Sequence, residues 1–183
     1  DRPRLPVDRV FSISGFGTVV TGTLADGRLN VGEEVEILPS GLRGRIRGLQ
    51  THKKKETSAA PGSRTAINIS GVEVTDIQRG DTVVHPGQYA ASQRLDVRFH
   101  LLPDASNPLR HASQVKFFHG TSETTANVRL LGVDVLQPGE DGWLQLDLHH
   151  AVVANRGDRF ILRRPSPGET LGGGTILDPQ PKK

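Results

Sequence analysis

The 183-residue sequence has no cysteine and no methionine, and only one tryptophan, one tyrosine and six phenylalanines. Without cysteine, disulfides and thiolate metal sites are excluded. No apolar run reaches the roughly 18 residues that a membrane-spanning helix needs, so no membrane partner is expected. No signal-peptide pattern opens the chain, and a cytoplasmic location is expected. Position 1 is Asp, not Met, so the chain reads as a piece of a longer translation product. With so few aromatics the core must come from valine, leucine and isoleucine, and the β-branched types among these favour strands. Charge of neither sign dominates: 23 Lys plus Arg stand against 20 Asp plus Glu, a net +3. That small excess is compatible with a nucleic-acid partner and does not identify one.

A phosphate loop is also lacking, although Phe11 to Gly22, FSISGFGTVVTG, imitates one. A mononucleotide loop ends in Gly-Lys-Ser/Thr and opens a helix. No Gly-Lys pair occurs in the chain, and Gly15 and Gly17 lead into Thr18-Val19-Val20-Thr21, a β-branched run. The dinucleotide fingerprint fails as well, because Val20 stands where its third glycine belongs. Strand, glycine turn, strand is the reading that remains.

Short alternating runs are what the sequence does have. Val35 and Ile37 alternate with Glu34 and Glu36, and Ile67 and Ile69 with Asn68 and Ser70. Leu95, Val97, Phe99 and Leu101 form a third such run, and Leu144, Leu146 and Leu148 a fourth. Turn dipeptides such as Asp26-Gly27, Pro61-Gly62, Pro138-Gly139 and Asp141-Gly142 punctuate them, and no window keeps a helical period. The fold class is all-β, as barrels or sandwiches. The stretch from His85 to Ser92 breaks the pattern near the middle, which divides the chain into units 1–88 and 89–183.

Candidate chemistry is sparse. Arg43, Arg45 and Arg47 fall at period two, so one strand would present all three on one face, with Lys53-Lys54-Lys55 following. Such a stripe either tracks phosphates or protects an edge strand from aggregation, and the two readings weigh equally. The seven histidines show no paired ligand spacing, so no metal site is expected. His149 and His150, adjacent on a strand, would point to opposite faces. No Gly-x-Ser-x-Gly elbow marks a hydrolase. Arg9 shares strand parity with Phe11 and Ile13, read here as the inward pair, which puts a guanidinium at a barrel rim or on a ligand. Arg64 opens another strand and raises the same question.

The stretch Val10 to Leu24, with Val31-Gly32-Glu33-Glu34-Val35 and Ile77-Gln78-Arg79-Gly80-Asp81, resembles the second domain of EF-Tu-like translational GTPases. Within them the chain is most similar to the bacterial selenocysteine-specific elongation factors, the SelB family. That narrower likeness rests on Leu5 to Phe11, Pro61 to Gly71, Gly157 to Arg163, and Thr170 to Pro179 with its Gly172-Gly173-Gly174. It spans essentially the whole chain and implies two consecutive small β-barrels of the translation-factor type, the family's second and third domains. It further implies a preceding GTPase domain, where GTP and Mg would bind, and following winged-helix domains. No catalytic residue and no cofactor is then expected in this chain. The implied partners are selenocysteyl-tRNA and the ribosome, with the acceptor and T arms of the tRNA gripped partly by the third domain. Arg110, His111, Lys116 and His119 are basic candidates there, without an assigned role.

By resemblance the aminoacyl end is bound by Asp8, Arg9 and Arg64, with Arg43, Arg45 and Arg47 as candidate tRNA-backbone contacts. General elongation factors usually carry an acidic residue at the position of Arg9 and asparagine at that of Arg64. A selenol is more acidic than a thiol and ionised near neutral pH, whereas the hydroxyl of the seryl precursor is neutral. At an effective dielectric near 20, about a third of one guanidinium–anion attraction at ~4 Å separates the two roughly tenfold. Asp8 would accept from the aminoacyl amine or hold Arg9 in place. The alternatives are the same barrels from a general elongation or initiation factor, and a small β-barrel enzyme.

Overall fold

Alternation of apolar and polar residues becomes strand almost throughout the computed structural model of the chain, which describes residues 2–182. A single 3-10 turn, Val74–Asp76, interrupts the strands among the described residues. The chain divides into two compact units between Ala90 and Ala91.

In the first unit the strands are β1 (Arg4–Pro6), β2 (Arg9–Ile13), β3 (Gly17–Thr23), β4 (Leu29–Asn30) and β5 (Glu34–Leu38). They continue as β6 (Leu42–Thr51), β7 (Lys54–Glu56), β8 (Ser58–Ala59), β9 (Arg64–Ser70) and β10 (Thr82–Val84). The main sheet runs β1-β10-β5-β6-β9-β3-β2, antiparallel at every pairing, with β7 added beside β6. Its two ends, β1 and β2, are consecutive in sequence and joined through Val7 and Asp8, so the sheet curls round on itself. Gly22 makes that approach possible, since a Cβ there would lie 2.2 Å from the Pro6 carbonyl oxygen. The core enclosed is aliphatic: Leu5, Val20, Leu24, Leu29, Val35, Ile37, Ile67 and Val83 are fully buried.

The second unit contains β11 (Ser92–Leu101), β12 (Leu109–Arg110), β13 (Gln114–His119), β14 (Ser122–Leu131) and β15 (Val135–Leu136). The remaining strands are β16 (Asp141–Val152), β17 (Arg159–Pro165) and β18 (Gly168–Asp178). Six of them close a barrel in the order β11-β16-β14-β13-β17-β18. Phe99, Phe117 and Phe160 stack at its centre with centroids 6.2 and 5.6 Å apart along the row. The triple glycine belongs to the closing seam between β18 and β11. A Cβ on Gly172 would meet the His100 carbonyl oxygen at 2.0 Å, and one on Gly174 the Arg98 oxygen at 1.9 Å. No other residue type fits there without parting the seam.

The alternating runs sit where alternation predicts, with Leu95 to Leu101 and Leu144 to Leu148 inward. Two local expectations need correction. Phe11 and Ile13 do not face the core: Val10 packs against it, opposite Val20, and Phe11 lies on the outer face opposite Val19. The arginine stripe is broken, because the β6–β9 register shifts between Ile46 and Gly48 and sets Arg47 in a bulge. His149 and His150 are consecutive on β16 and both exposed, in the stretch before it pairs with β11 again at Val152. No described helix is long and apolar enough to cross a membrane.

Candidate functional site

Cross-strand register brings the first unit's distinctive charges to one outer face. In an antiparallel pair, directly opposed residues project on the same side. Arg9 on β2 opposes Thr21 on β3, which opposes Ala66 on β9, and Thr23 opposes Arg64. The intervening residues Val10, Val20 and Ile67 point into the core. Arg9 and Arg64 therefore share the exterior, on strands about 10 Å apart at two strand spacings.

Asp8 sits in the link between β1 and β2, its amide donating to the Thr21 carbonyl at 2.8 Å. Its carboxylate receives Arg64, Nη2 to Oδ2 at 2.5 Å. The other oxygen receives Arg79 Nη1, which also donates to the Asp8 carbonyl at 3.3 Å. The hydrogen bond from Arg64, then that from Arg79, holds the Asp8 carboxyl below the usual carboxylate range, against the opposing effect of partial burial. Asp8 is thus ionised at neutral pH. The Arg64 and Arg79 side chains are 51% and 63% exposed, so these bridges add little to stability and stay open to a ligand. The Arg9 guanidinium has no ion-pair or hydrogen-bond partner among the described residues. Asp8 therefore does not hold Arg9; it holds Arg64 and Arg79.

An apolar groove of about 430 Å³ opens on the same face. Its walls include Phe11, Ile13, Phe16, Val19 and Ala66, with Arg47, Lys55 and Glu56 adding charge. Ile13 and Phe16 are 41% and 56% exposed, so apolar surface is offered to solvent here. Phe11 is the next outward residue after Arg9 on β2, and Ala66 the next after Arg64 on β9. Cations and groove form one continuous surface.

The other basic candidates are placed differently. Arg43 pairs with Glu34 at 3.2 Å, and Arg45 donates to the Gly32 carbonyl at 2.6 Å, so both are engaged by β5 and the turn before it. Only Arg47 of the three lines the groove. In the second unit His119 lies 2.8 Å from Asp158 with both side chains largely buried, and His111 Nδ1 accepts the Leu130 amide at 3.1 Å. Lys116 stands 3.7 Å from Glu123, and Arg110 is exposed on β12. Among the described residues no group of three or more potential ligands is placed to hold a metal ion.

Sequence reasoning missed Arg79 and the groove. Arg79 is read there only as part of a turn, and its partner Asp8 lies 71 positions away. The groove is hidden because Val10 and Phe11 are both apolar, so either parity of β2 passes for the inward one.

Residues 17–84 match the family described as elongation factor Tu domain 2, and residues 96–183 that of the selenocysteine-specific elongation factor, beta-barrel domain. The selenocysteine-specific elongation factor of Desulfomicrobium baculatum is 44% identical over 180 residues, 98% of this chain and 28% of that protein. The chain therefore spans little more than a quarter of that relative's length.

Proposed function

Since the chain belongs to the selenocysteine-specific elongation factors, whose barrel region it carries, we propose that its first barrel receives the selenocysteyl end of a charged tRNA. The observation that carries this reading is the exposed Arg9 and Arg64 pair sharing one outer face with an apolar groove. Arg64 and Arg9 attract the selenolate, which the neutral hydroxyl of a seryl ester cannot match. Asp8 steadies Arg64 and stands within the same cluster to accept from the aminoacyl amine. The terminal base of the tRNA packs in the groove against Phe11, Ile13 and Val19, where one unpaired base finds aromatic and β-branched faces. Arg47 and Lys55, which line the groove, take neighbouring phosphates in this reading.

In this reading the chain holds the cargo while other parts of the factor act. Nucleotide chemistry belongs to a GTPase domain outside it, because the chain has no Gly-Lys pair to bind GTP and Mg. The second barrel supports the acceptor and T arms, and winged-helix domains beyond it complete a cytoplasmic factor that delivers the tRNA to the ribosome.

The test is the affinity of the full-length factor for selenocysteyl-tRNA and for seryl-tRNA before and after Arg64→Ala. Selectivity should fall about tenfold, mainly through weaker selenocysteyl binding. Unchanged selectivity would remove the selenolate site.

A further inference from the structure

Arg79 has no place in the scheme above, yet the fold holds it firmly. It occupies the second position of the Gln78–Asp81 turn, closed by Asp81 donating to the Gln78 carbonyl at 3.1 Å. Gly80 follows at φ 97°, the conformation that a type II turn requires at its third residue. Val7 grips the turn from both sides: its amide donates to the Asp81 carbonyl at 2.7 Å, and its carbonyl accepts from Gly80 at 3.0 Å. The buried Asp81 carboxylate caps the Gln78 amide at 3.0 Å. The turn and the strand link carrying Asp8 are thus one unit, and the arginine at its tip meets the carboxylate from a fixed base.

Building on the selenocysteyl reading, we propose that Arg79 is a positioning and specificity-determining residue, which occupies one oxygen of Asp8 so that Arg64 engages only the other. A carboxylate facing a single arginine closes the two-bond fork and cancels its charge. With Arg79 on Oδ1, Arg64 is held end-on through Oδ2 alone. Most of its five N–H donors remain open to a ligand. Charge changes in the same direction. Asp8 with Arg64 and Arg9 carries one positive charge in excess, and Arg79 raises that to two. An anionic side chain gains from the added charge, and a neutral one does not.

The experiment compares the full-length factor with Arg79→Gln and Arg79→Lys, measuring affinity for selenocysteyl- and seryl-tRNA. Arg79→Gln should lower the selenocysteyl preference about fivefold while seryl affinity changes less than twofold. Arg79→Lys supplies a charge that still reaches Oδ1, and should recover most of the preference. All three proteins should unfold at the same temperature, because the Arg79 side chain is exposed. If Arg79 merely touches the tRNA backbone, both affinities fall by one factor, the ratio holds and the proposal is overturned. A preference lost together with thermal stability, and not recovered by lysine, marks a purely structural role and also overturns it. Arg64→Ala, run alongside, separates the two levels. If it too leaves the ratio unchanged, the selenocysteyl site itself fails; if it lowers the ratio while Arg79→Gln does not, only the role of Arg79 fails.

Discussion

Where β11 and β16 of the second barrel run side by side, charge meets charge. Arg94 lies 3.0 Å from Asp147, and Asp141 takes both His100 at 2.5 Å and Arg98 at 3.2 Å. Arg98 also stacks over the half-exposed Trp143 at 5.2 Å. On the first barrel one carboxylate serves two guanidiniums, a third guanidinium stands apart, and an uncovered apolar groove adjoins them. Exposed ion pairs that cancel locally are worth little and call for no ligand. A positive excess beside uncovered apolar surface has no such local resolution. The cores differ in a parallel way, with a stacked phenylalanine row in the second barrel and aliphatic side chains in the first. The second barrel is closed, while the first ends in a link, Val7-Asp8, that joins its edges and presents the proposed site.

The sharpest way to break this contrast is at the closing seam. Gly174→Ala puts a methyl group 1.9 Å from a backbone oxygen, and should cost about 3 kcal/mol or more, read as a large drop in the unfolding midpoint. Gly15→Ala in the first hairpin meets nothing within 4 Å and suffers only the strain of its positive φ, about 1 kcal/mol. Equal losses would show that the seam is not as tight as described. A smaller effect separates the charged surfaces. Arg9→Ala should leave stability unchanged and reduce selenocysteyl preference several-fold, about 1 kcal/mol, whereas Arg98→Ala should leave the preference unchanged. A loss in Arg98→Ala as large as in Arg9→Ala would erase the distinction between the barrels.

The smallest effect is a pH dependence within the first barrel. Burial raises the Asp81 pKa above its ordinary 3.8, so the folded state binds that proton more tightly than the unfolded chain. Stability attributable to Asp81 therefore falls as pH rises from 3.8 through the raised value. Asp8 is shifted the other way, and its contribution is lost as pH falls below 3.8 through its lowered value. Asp81→Asn keeps an acceptor for the Gln78 amide. Its unfolding midpoint should match the wild type below pH 3.8 and rise modestly above it at higher pH. A midpoint difference that does not change with pH would contradict the assignment.

Much of the fold is legible in the sequence because alternation reports burial directly, as in Leu95 to Leu101 and Leu144 to Leu148. It fails where both faces of a strand are apolar, as in β2, and the proposed site surface lies there. It fails again at Arg47, because a bulge depends on the partner strand and leaves no local mark. The Asp8 cluster joins positions 8, 64 and 79, and only strand pairing between distant segments brings them together. Family resemblance pointed to Asp8, Arg9 and Arg64, but not to the geometry in which Asp8 leaves Arg9 free and engages Arg79 instead.

The central claim is that the first barrel reads negative charge on the aminoacyl side chain. The most direct measurement is the affinity of the full-length factor for one tRNA charged with cysteine or with serine, followed from about pH 6.5 to 9, across the ordinary thiol pKa near 8.5. As the thiol ionises, cysteinyl affinity should rise about tenfold towards that for selenocysteine, while seryl affinity changes less than twofold. Parallel curves for the two esters would contradict the account.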